Sequence, residues 1–337
     1  MSHSPSESST QAPVHILIAG GAGYIGSHTA KLLARSGYLP VVLDNLSTGN
    51  RHAVRFGPFV HAGLADKEAV RKALRDYNIQ GVILFAGHAY VGESTQQPLK
   101  YYRNNLGDTF EFLQILCEEN VKRLVFSSSC SIYGQQEQPT IAEDTAKNPL
   151  SPYAETKWFL EKVLSWCDAA YGLRSVSLRY FNAAGADPEG ELGEEHDPET
   201  HLIPLTLAAT SSEHPLHIFG NDYPTPDGTA IRDYIHVNDL ASAHERALAY
   251  LLRDGGTTAI NLGTGQGHSV LEVISCVERV SGKKVHANFA PRRQGDAPRL
   301  VANAALAREV LGWTPQHSSL EEIVKTAWNW MQKQQKS

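Results

Sequence analysis

The chain has 337 residues, 42% of them hydrophobic and 20% charged, with a formal net charge of −6. That length allows one large or two ordinary domains with ample core, and the composition excludes a disordered or fibrous chain. The acidic balance gives no general affinity for nucleic acid, and no run approaches the ~20 apolar residues of a membrane span.

The first residues, 1–12, are rich in serine and lack the basic start and apolar stretch of a signal peptide, which predicts a disordered tail. Four scattered cysteines, Cys117, Cys130, Cys167 and Cys276, follow no metal-ligand spacing. Cys117, Cys130 and Cys167 lie in apolar or glycine-adjacent settings that read as buried thiols, and a reducing cytoplasm is the expected location. The apolar run His15–Ala19 then predicts a strand, followed by the turn Gly20-Gly21-Ala22-Gly23-Tyr24-Ile25-Gly26 and a helical run from Ser27 to Ala34. Gly20 permits a sharp turn, Gly23 a close approach of backbone to a pyrophosphate, and Gly26 tight packing of helix on sheet. The helix N-terminus offers free N–H groups to phosphate.

The next strand, Leu39–Leu43, ends at Asp44, near the ~20-residue spacing of a ribose-binding acid. A carboxylate there accepts ribose hydroxyls and repels a 2′-phosphate, which predicts NAD rather than NADP. Asp44 and Asn45 capping the following turn is the other reading. After a polar loop to Asn50 come a short strand at Phe59-Val60 and a helix over Lys67–Tyr77, with Val70, Leu74 and Tyr77 on one face. A strand at Gly81–Phe85 turns out through Ala86-Gly87-His88. A long helix is expected over Tyr101–Glu119, its apolar positions Phe110, Leu113, Leu116 and Cys117. The strand Arg123–Phe126 ends in Ser127-Ser128-Ser129. This alternation predicts an α/β fold with a doubly wound, Rossmann-type parallel sheet, its ligands lying beyond the C-terminal strand ends.

Ser151 and Pro152 form a helix start, and the helix runs to about Tyr171. Its apolar residues Trp158, Phe159, Leu160, Val163, Leu164 and Trp166 exceed one stripe, so a subunit interface or dense packing within the chain covers a second face. Tyr153 and Lys157 are four apart and share a face. An ammonium and a helix N-terminus both favour the phenolate, which makes Tyr153 a workable general base. A surface Tyr and Lys with no such role is the plain alternative. His196 and His201 share an acidic loop. A metal there is one reading, a solvated or substrate-lining loop the favoured one, and no metal is expected.

Together with Val91-Gly92-Glu93-Ser94, Tyr180-Phe181-Asn182, Phe219–Thr225, Asp227-Gly228-Thr229, Arg232–Val237 and Arg292–Asp296, these stretches resemble the extended short-chain dehydrogenase/reductase family. The later motifs are similar to its UDP-hexose 4-epimerases. The resemblance implies a cofactor domain over 13–181, with a return segment near 230–265, and a smaller C-terminal α/β substrate domain over 182–335. It implies interconversion of UDP-glucose and UDP-galactose through a transient 4-keto sugar, with NAD resident and not consumed. By that resemblance Tyr153 is expected to take the 4-hydroxyl proton and Lys157 to hold the nicotinamide ribose, with Ser129 and Ser131 facing the sugar. Tyr24, Ile25, Asp44, Asn45, Phe85, Ala86, Gly87, Asn104, Ser127, Tyr180 and Phe181 line the NAD site. Gly63 stands where an aspartate is common, which leaves adenine to the Leu64 backbone.

On the substrate side Asn182 contacts the diphosphate, and Leu202 with His217-Ile218-Phe219 walls the uridine. Arg232 and Arg293 clamp the phosphates, and Asp296 accepts from the ribose. For Arg232 a salt bridge to Asp233 or Asp227 is the alternative. Ala89 replaces a common lysine and His201 a common asparagine near the nucleotide. Leu300 lies where the sugar's C2 substituent is gated, which implies preference for sugars without an N-acetyl group. A homodimer through the Tyr101–Glu119 and Tyr153–Tyr171 helices is expected, with no nucleic-acid or membrane partner. The rival activities are a UDP-xylose/UDP-arabinose 4-epimerase, a nucleotide-sugar dehydratase and a non-catalytic NAD sensor. The dehydratase needs a carboxylate where Ser127–Ser131 has none.

Overall fold

The computed structural model describes residues 12–212, 214–293 and 296–335. The expected tail falls, but for residue 12, outside them. Seven parallel strands form the main sheet: β1 (His15–Ala19), β2 (Leu39–Asp44), β3 (Phe59–His61), β4 (Gly81–Leu84), β5 (Arg123–Ser129), β6 (Arg174–Tyr180) and a late strand, Thr258–Leu262. The late strand lies on the far edge beside β6, and the spatial order runs from it through β6, β5, β4, β1 and β2 to β3. The order reverses between β1 and β4, which opens a crevice at their C-terminal ends.

The strands read as continuous apolar runs because both faces are covered. Ile16 and Ile18 pack on one side, among Leu33, Leu240 and Leu248; Leu17 and Ala19 pack on the other, among Leu74, Phe112 and Leu160. The helices of the first half are α1 (Tyr24–Arg35), α2 (Lys67–Asp76), α3 (Val91–Gln96), α4 (Pro98–Tyr101), α5 (Thr109–Glu118) and α6 (Pro152–Tyr171). The expected single helix over Tyr101–Glu119 is therefore broken. A wide i→i+5 turn over Tyr102–Asp108 interrupts it. Such a turn shifts the phase of the side chains and is found where a helix serves a site; here it carries Asn104 and Asn105.

The second half carries short strands: β7 (Asn182–Ala184), β8 (Leu216–Phe219), β9 (Ile231–Arg232) and β10 (Tyr234–His236), then β11, the Thr258–Leu262 strand, and β12 (His268–Ser269), β13 (Ala287–Ala290) and β14 (Arg299–Leu300). They pair as β7 with β10, β8 with β13, and β9 with both β12 and β14. The helices are α7 (Leu202–Ala208), α8 (Val237–Leu252), α9 (Val270–Ser281), α10 (Ala305–Leu311) and α11 (Leu320–Gln334). Helices α7, α9 and α11 share a separate core of Ile203, Leu207, Val273, Val277, Ile323 and Val324.

Two expectations about burial change. Cys117, Cys130 and Cys167 are only half-buried, and Cys276 is the buried thiol. On α6, Leu160 and Leu164 are buried, but Phe159 is 45% and Trp166 75% exposed, so packing within the chain leaves the second apolar face open. None of the helices among the described residues is long and apolar enough to cross a membrane.

Candidate active site

The glycine turn is built for close approach. Gly20 has φ +82°, and a Cβ there would lie 2.5 Å from the Ala86 nitrogen. A Cβ on Gly26 would meet the Gly20 carbonyl at 2.4 Å. No side chain caps the N-terminus of α1. Its first-turn N–H groups therefore face the crevice as a ready anion cradle. The Asp44 carboxylate braces this turn, accepting from the Ala22 N–H at 3.0 Å and the Leu46 N–H at 2.8 Å. Asn45 accepts from the Ser47 N–H. The capping reading of Asp44 and Asn45 is thus an observed contact, and it leaves the outer lone pairs of Asp44 for a ribose. Leu64 is buried and Phe85 half-buried beside them, at the ends of β3 and β4. Ile25 packs beneath with Phe85. Tyr24 reaches across to donate to the Gly185 carbonyl at 2.5 Å.

The segment after β4 is held from the wide turn. Asn104 and Asn105 both accept from the His88 N–H, at 3.2 and 2.8 Å, and Asn105 also donates to Thr156 of α6 at 3.2 Å. Gly87, at φ +147°, would bring a Cβ within 3.2 Å of the Asn105 oxygen. Asn105 was not legible as a site residue: it differs from Asn104 only by the phase that the wide turn imposes.

Tyr153 and Lys157 enter the crevice from α6, whose start Ser151 caps by accepting from the Ala154 N–H. Ser129, at the end of β5, lies near enough to the Tyr153 phenol to favour its ionised form. Ser127 and Tyr180 share a hydrogen bond of 2.6 Å. Lys157, 6% exposed, donates to the Ser127 carbonyl at 2.8 Å. Burial pulls its ammonium down to about 8. The expected acidic phenol is not what this environment favours. Burial raises the Tyr153 phenol well above its ordinary value and outweighs the effect of Ser129. The lysine does not offset this burial, because its ammonium is turned to the Ser127 carbonyl. Ser131 lies alongside, its hydroxyl buried and without a partner in the protein.

Beneath this row sits an ion pair that the sequence reading missed. Arg179 of β6 pairs with Glu161 of α6 at 2.6 Å, both side chains 5% exposed, and Glu161 also accepts from the Ser128 hydroxyl. Its signal was faint, since Arg179 shares its strand face with Ser175 and Ser177 and so did not stand out as a lone charge.

Across the crevice, Phe181 and Leu300 pack in one cluster with Ile132 and Tyr133. Asn182 donates to the Asp233 carbonyl at 2.9 Å. Arg232 donates to the carbonyls of Ile231 and Ala297 at 2.9 and 2.8 Å and lies 3.6 Å from Asp296. Its acidic neighbour is therefore Asp296, not Asp233 or Asp227. Arg293 pairs with the other Asp296 oxygen at 3.0 Å and covers the Phe219 ring at 4.8 Å. On β8 the side chains alternate. His217 and Phe219 face outward, while Ile218 is 4% exposed and turned to the other side. The three-residue wall is thus reduced to two side chains. Leu202 packs into the core of the second half. The His201 imidazole is engaged with Glu194 and Glu199 rather than free for a nucleotide. Asp227-Gly228-Thr229 is a tight turn, with Asp227 accepting from the Thr229 N–H and hydroxyl.

One sheet edge therefore carries an anion cradle and, next to it, a buried Tyr–Ser–Lys row, while Arg232 and Arg293 of the second half gather on Asp296. Residues 16–263 match the NAD dependent epimerase/dehydratase family. The chain belongs to that family. It is 47% identical to a UDP-glucose 4-epimerase of Halalkalibacterium halodurans, over 94% of this chain and 95% of that protein. A solved UDP-glucose 4-epimerase from Brucella ovis, in complex with NAD, superposes with a TM-score of 0.92 at 50% identity, covering 94% of this chain and 98% of that one. One from Bifidobacterium longum, in complex with NAD+ and UDP, gives a TM-score of 0.89 at 34% identity, covering 95% and 98%.

Proposed function

We propose that this chain inverts C4 of a UDP-hexose, interconverting UDP-glucose and UDP-galactose with a resident NAD. The observation that carries the reading is the Tyr153–Lys157 pair, with Lys157 tied to the Ser127 carbonyl at 2.8 Å, on the edge where the glycine turn opens its anion cradle. The cradle suits a dinucleotide: the turn leaves no room for side chains at Gly20 and Gly26, and the α1 N-terminus is uncapped. Bound NAD supplies the reversible two-electron oxidation at C4. Gly20–Gly26, Asp44, Asn45, Leu64, Phe85–Gly87, Asn104, Ser127, Tyr180 and Phe181 hold it.

Tyr153 takes the proton from the 4-hydroxyl and returns it after the sugar has turned. Ser129 orients that hydroxyl and relays the hydrogen bond. The buried phenol keeps its proton until positive charge faces its oxygen, and Lys157 stands one turn along α6 with its nitrogen 5.7 Å from the ring centre. Inversion needs the sugar loose and the nucleotide fixed. Arg232, Arg293 and Asp296 grip diphosphate and ribose; His217 and Phe219 wall the uridine, with Asn182, His201 and Leu202 nearby. Ser131 and Leu300 border the sugar. The division of labour follows the chain: 13–181 with 230–265 for the cofactor, 182–335 for the UDP-sugar.

Phe110 of α5 and Phe159 of α6 stand 6.3 Å apart, 40% and 45% exposed. With Trp166 they form the face we assign to a homodimer. The four free thiols suit a reducing compartment, and we assign the enzyme to the cytoplasm.

The test is to add UDP-galactose to purified protein without adding NAD. Appearance of UDP-glucose supports the reading. Turnover confined to UDP-pentoses, a dehydrated product or no turnover at all replaces it with one of its rivals.

A further inference from the structure

The loop leading into α7 brings four potential metal ligands together. Glu194 Oε1 lies 2.9 Å from His196 Nδ1 and 2.7 Å from His201 Nδ1. Glu199 turns one carboxylate oxygen to each imidazole, 3.1 Å from His201 and 3.9 Å from His196. One ligand atom from each of the four residues falls within 4.8 Å of all the others. A tetrahedral zinc site with bonds of ~2.0–2.1 Å holds its ligand atoms about 3.3 Å apart, and the separations here bracket that value.

Three further features support a site over a chance encounter of surface charges. The Glu194 side chain is only 6% exposed and takes its ion pairs from the two imidazoles. Glu199 is oriented from behind, accepting at one oxygen from the N–H groups of Thr200 and His201; such outer contacts set a ligand's direction. The His196 ring is fixed edge-on by Tyr24 at 6.2 Å and Tyr90 at 6.0 Å, both from the cofactor half, and lies 5.1 Å from the His201 ring.

We propose that Glu194, His196, Glu199 and His201 form a structural site for a zinc-class divalent cation. Two imidazoles and two carboxylates suit that borderline ion better than calcium or magnesium, which take oxygen ligands. Four protein ligands leave no open position, so the ion does no chemistry on the sugar. Its work is to fix the 194–201 segment against Tyr24, the residue that follows the last turn glycine before α1, and so to hold the second half over the cofactor crevice. Imidazoles bind a cation deprotonated, so uptake is expected to release protons.

The experiment uses the untagged holoenzyme, freed of metal by a chelator. Zinc is titrated against a chromophoric competitor, and cobalt is added separately as a spectroscopic probe. One zinc per chain is expected, along with the intense visible bands of four-coordinate cobalt and a raised Tm. His196→Gln/His201→Gln loses all three. If that variant does not fold, Glu199→Gln and the wild-type cobalt spectrum decide. The proposal is overturned by wild type that takes up no stoichiometric zinc, by a six-coordinate cobalt spectrum, or by uptake that survives in the folded variants.

Discussion

The Lys157 ammonium donates to the Ser127 carbonyl at 2.8 Å, while its nitrogen stands 5.7 Å from the centre of the Tyr153 ring. The lysine thus ties α6 to the end of β5, and burial lowers it to about 8. In the unfolded chain it binds its proton up to its ordinary value near 10.4. Between these limits the unfolded state holds more protons, so stability rises with pH across about 8 to 10. The charge costs the fold about 3 kcal/mol at neutral pH. Lys157→Met is therefore expected to narrow its Tm difference from wild type between pH 7 and pH 10, Met being the more favoured at pH 7. Parallel pH–Tm curves for the two proteins would show that the folded lysine binds its proton as tightly as the unfolded one does.

Tyr153→Phe keeps the ring and removes the hydroxyl near Ser129. The fold, the NAD content and the affinity for UDP should persist, while kcat falls by about 10²–10⁴. The check is turnover alongside the NAD released on denaturation. A fall of less than about tenfold moves the proton to another group, with Ser129 first in line.

Arg293 and Arg232 share Asp296 but differ in anchorage. Arg293 is exposed and makes its one ion pair there, while Arg232 also serves two backbone carbonyls. Arg293→Ala should raise KM by about tenfold with kcat nearly unchanged, the mark of binding energy used equally in ground and transition states. Arg232→Ala should raise KM further and lower Tm as well, because the β9 and Ala297 carbonyls lose a donor. Arg232→Lys restores charge but not the fork, and should recover little. Steady-state kinetics and thermal unfolding of the three variants separate the roles.

Leu300 packs in the cluster with Phe181, near Cys130. If Leu300 borders the sugar as proposed, its branched side chain leaves little room for a C2 substituent. Wild type should turn over UDP-galactose well ahead of its N-acetylated counterpart, and Leu300→Ala should narrow the ratio by about tenfold. Equal rates on both sugars in wild type would remove Leu300 as the gate.

How much of this was legible depended on whether period and spacing carried the information. The glycine turn, the strand ending at Asp44 and the Tyr153–Lys157 pair lie within one element or across one turn, where local geometry decides. Glu161 and Arg179 come from different elements and meet only because α6 packs on β6. The break at Tyr102–Asp108 was invisible, since a wide turn keeps helical composition while changing its phase. The state of Tyr153 was misread because spacing gives a neighbour's distance along the helix and not where its charge points.

Three buried histidines make the enzyme's acid limit unusual. His28 lies on α1, His236 at the end of β10 and His244 on α8, and burial lowers each to about 4. His244 packs against Phe85 at 4.6 Å and Tyr180 at 6.3 Å, directly behind the cofactor crevice. In the unfolded chain each binds its proton near 6.5, so between about 4 and 6.5 the unfolded state carries more protons. The stability they contribute is complete above about pH 6.5 and is lost as pH falls toward 4, a loss of order 3 kcal/mol per histidine at the lower end. Tm should therefore begin to fall near pH 6.5, before the carboxylates titrate. His244→Gln, which keeps a polar side chain without a titrating ring, should flatten the part of that slope between pH 6.5 and 5. An identical acid slope in wild type and variant would mean that His244 titrates in the folded protein as it does in the unfolded chain.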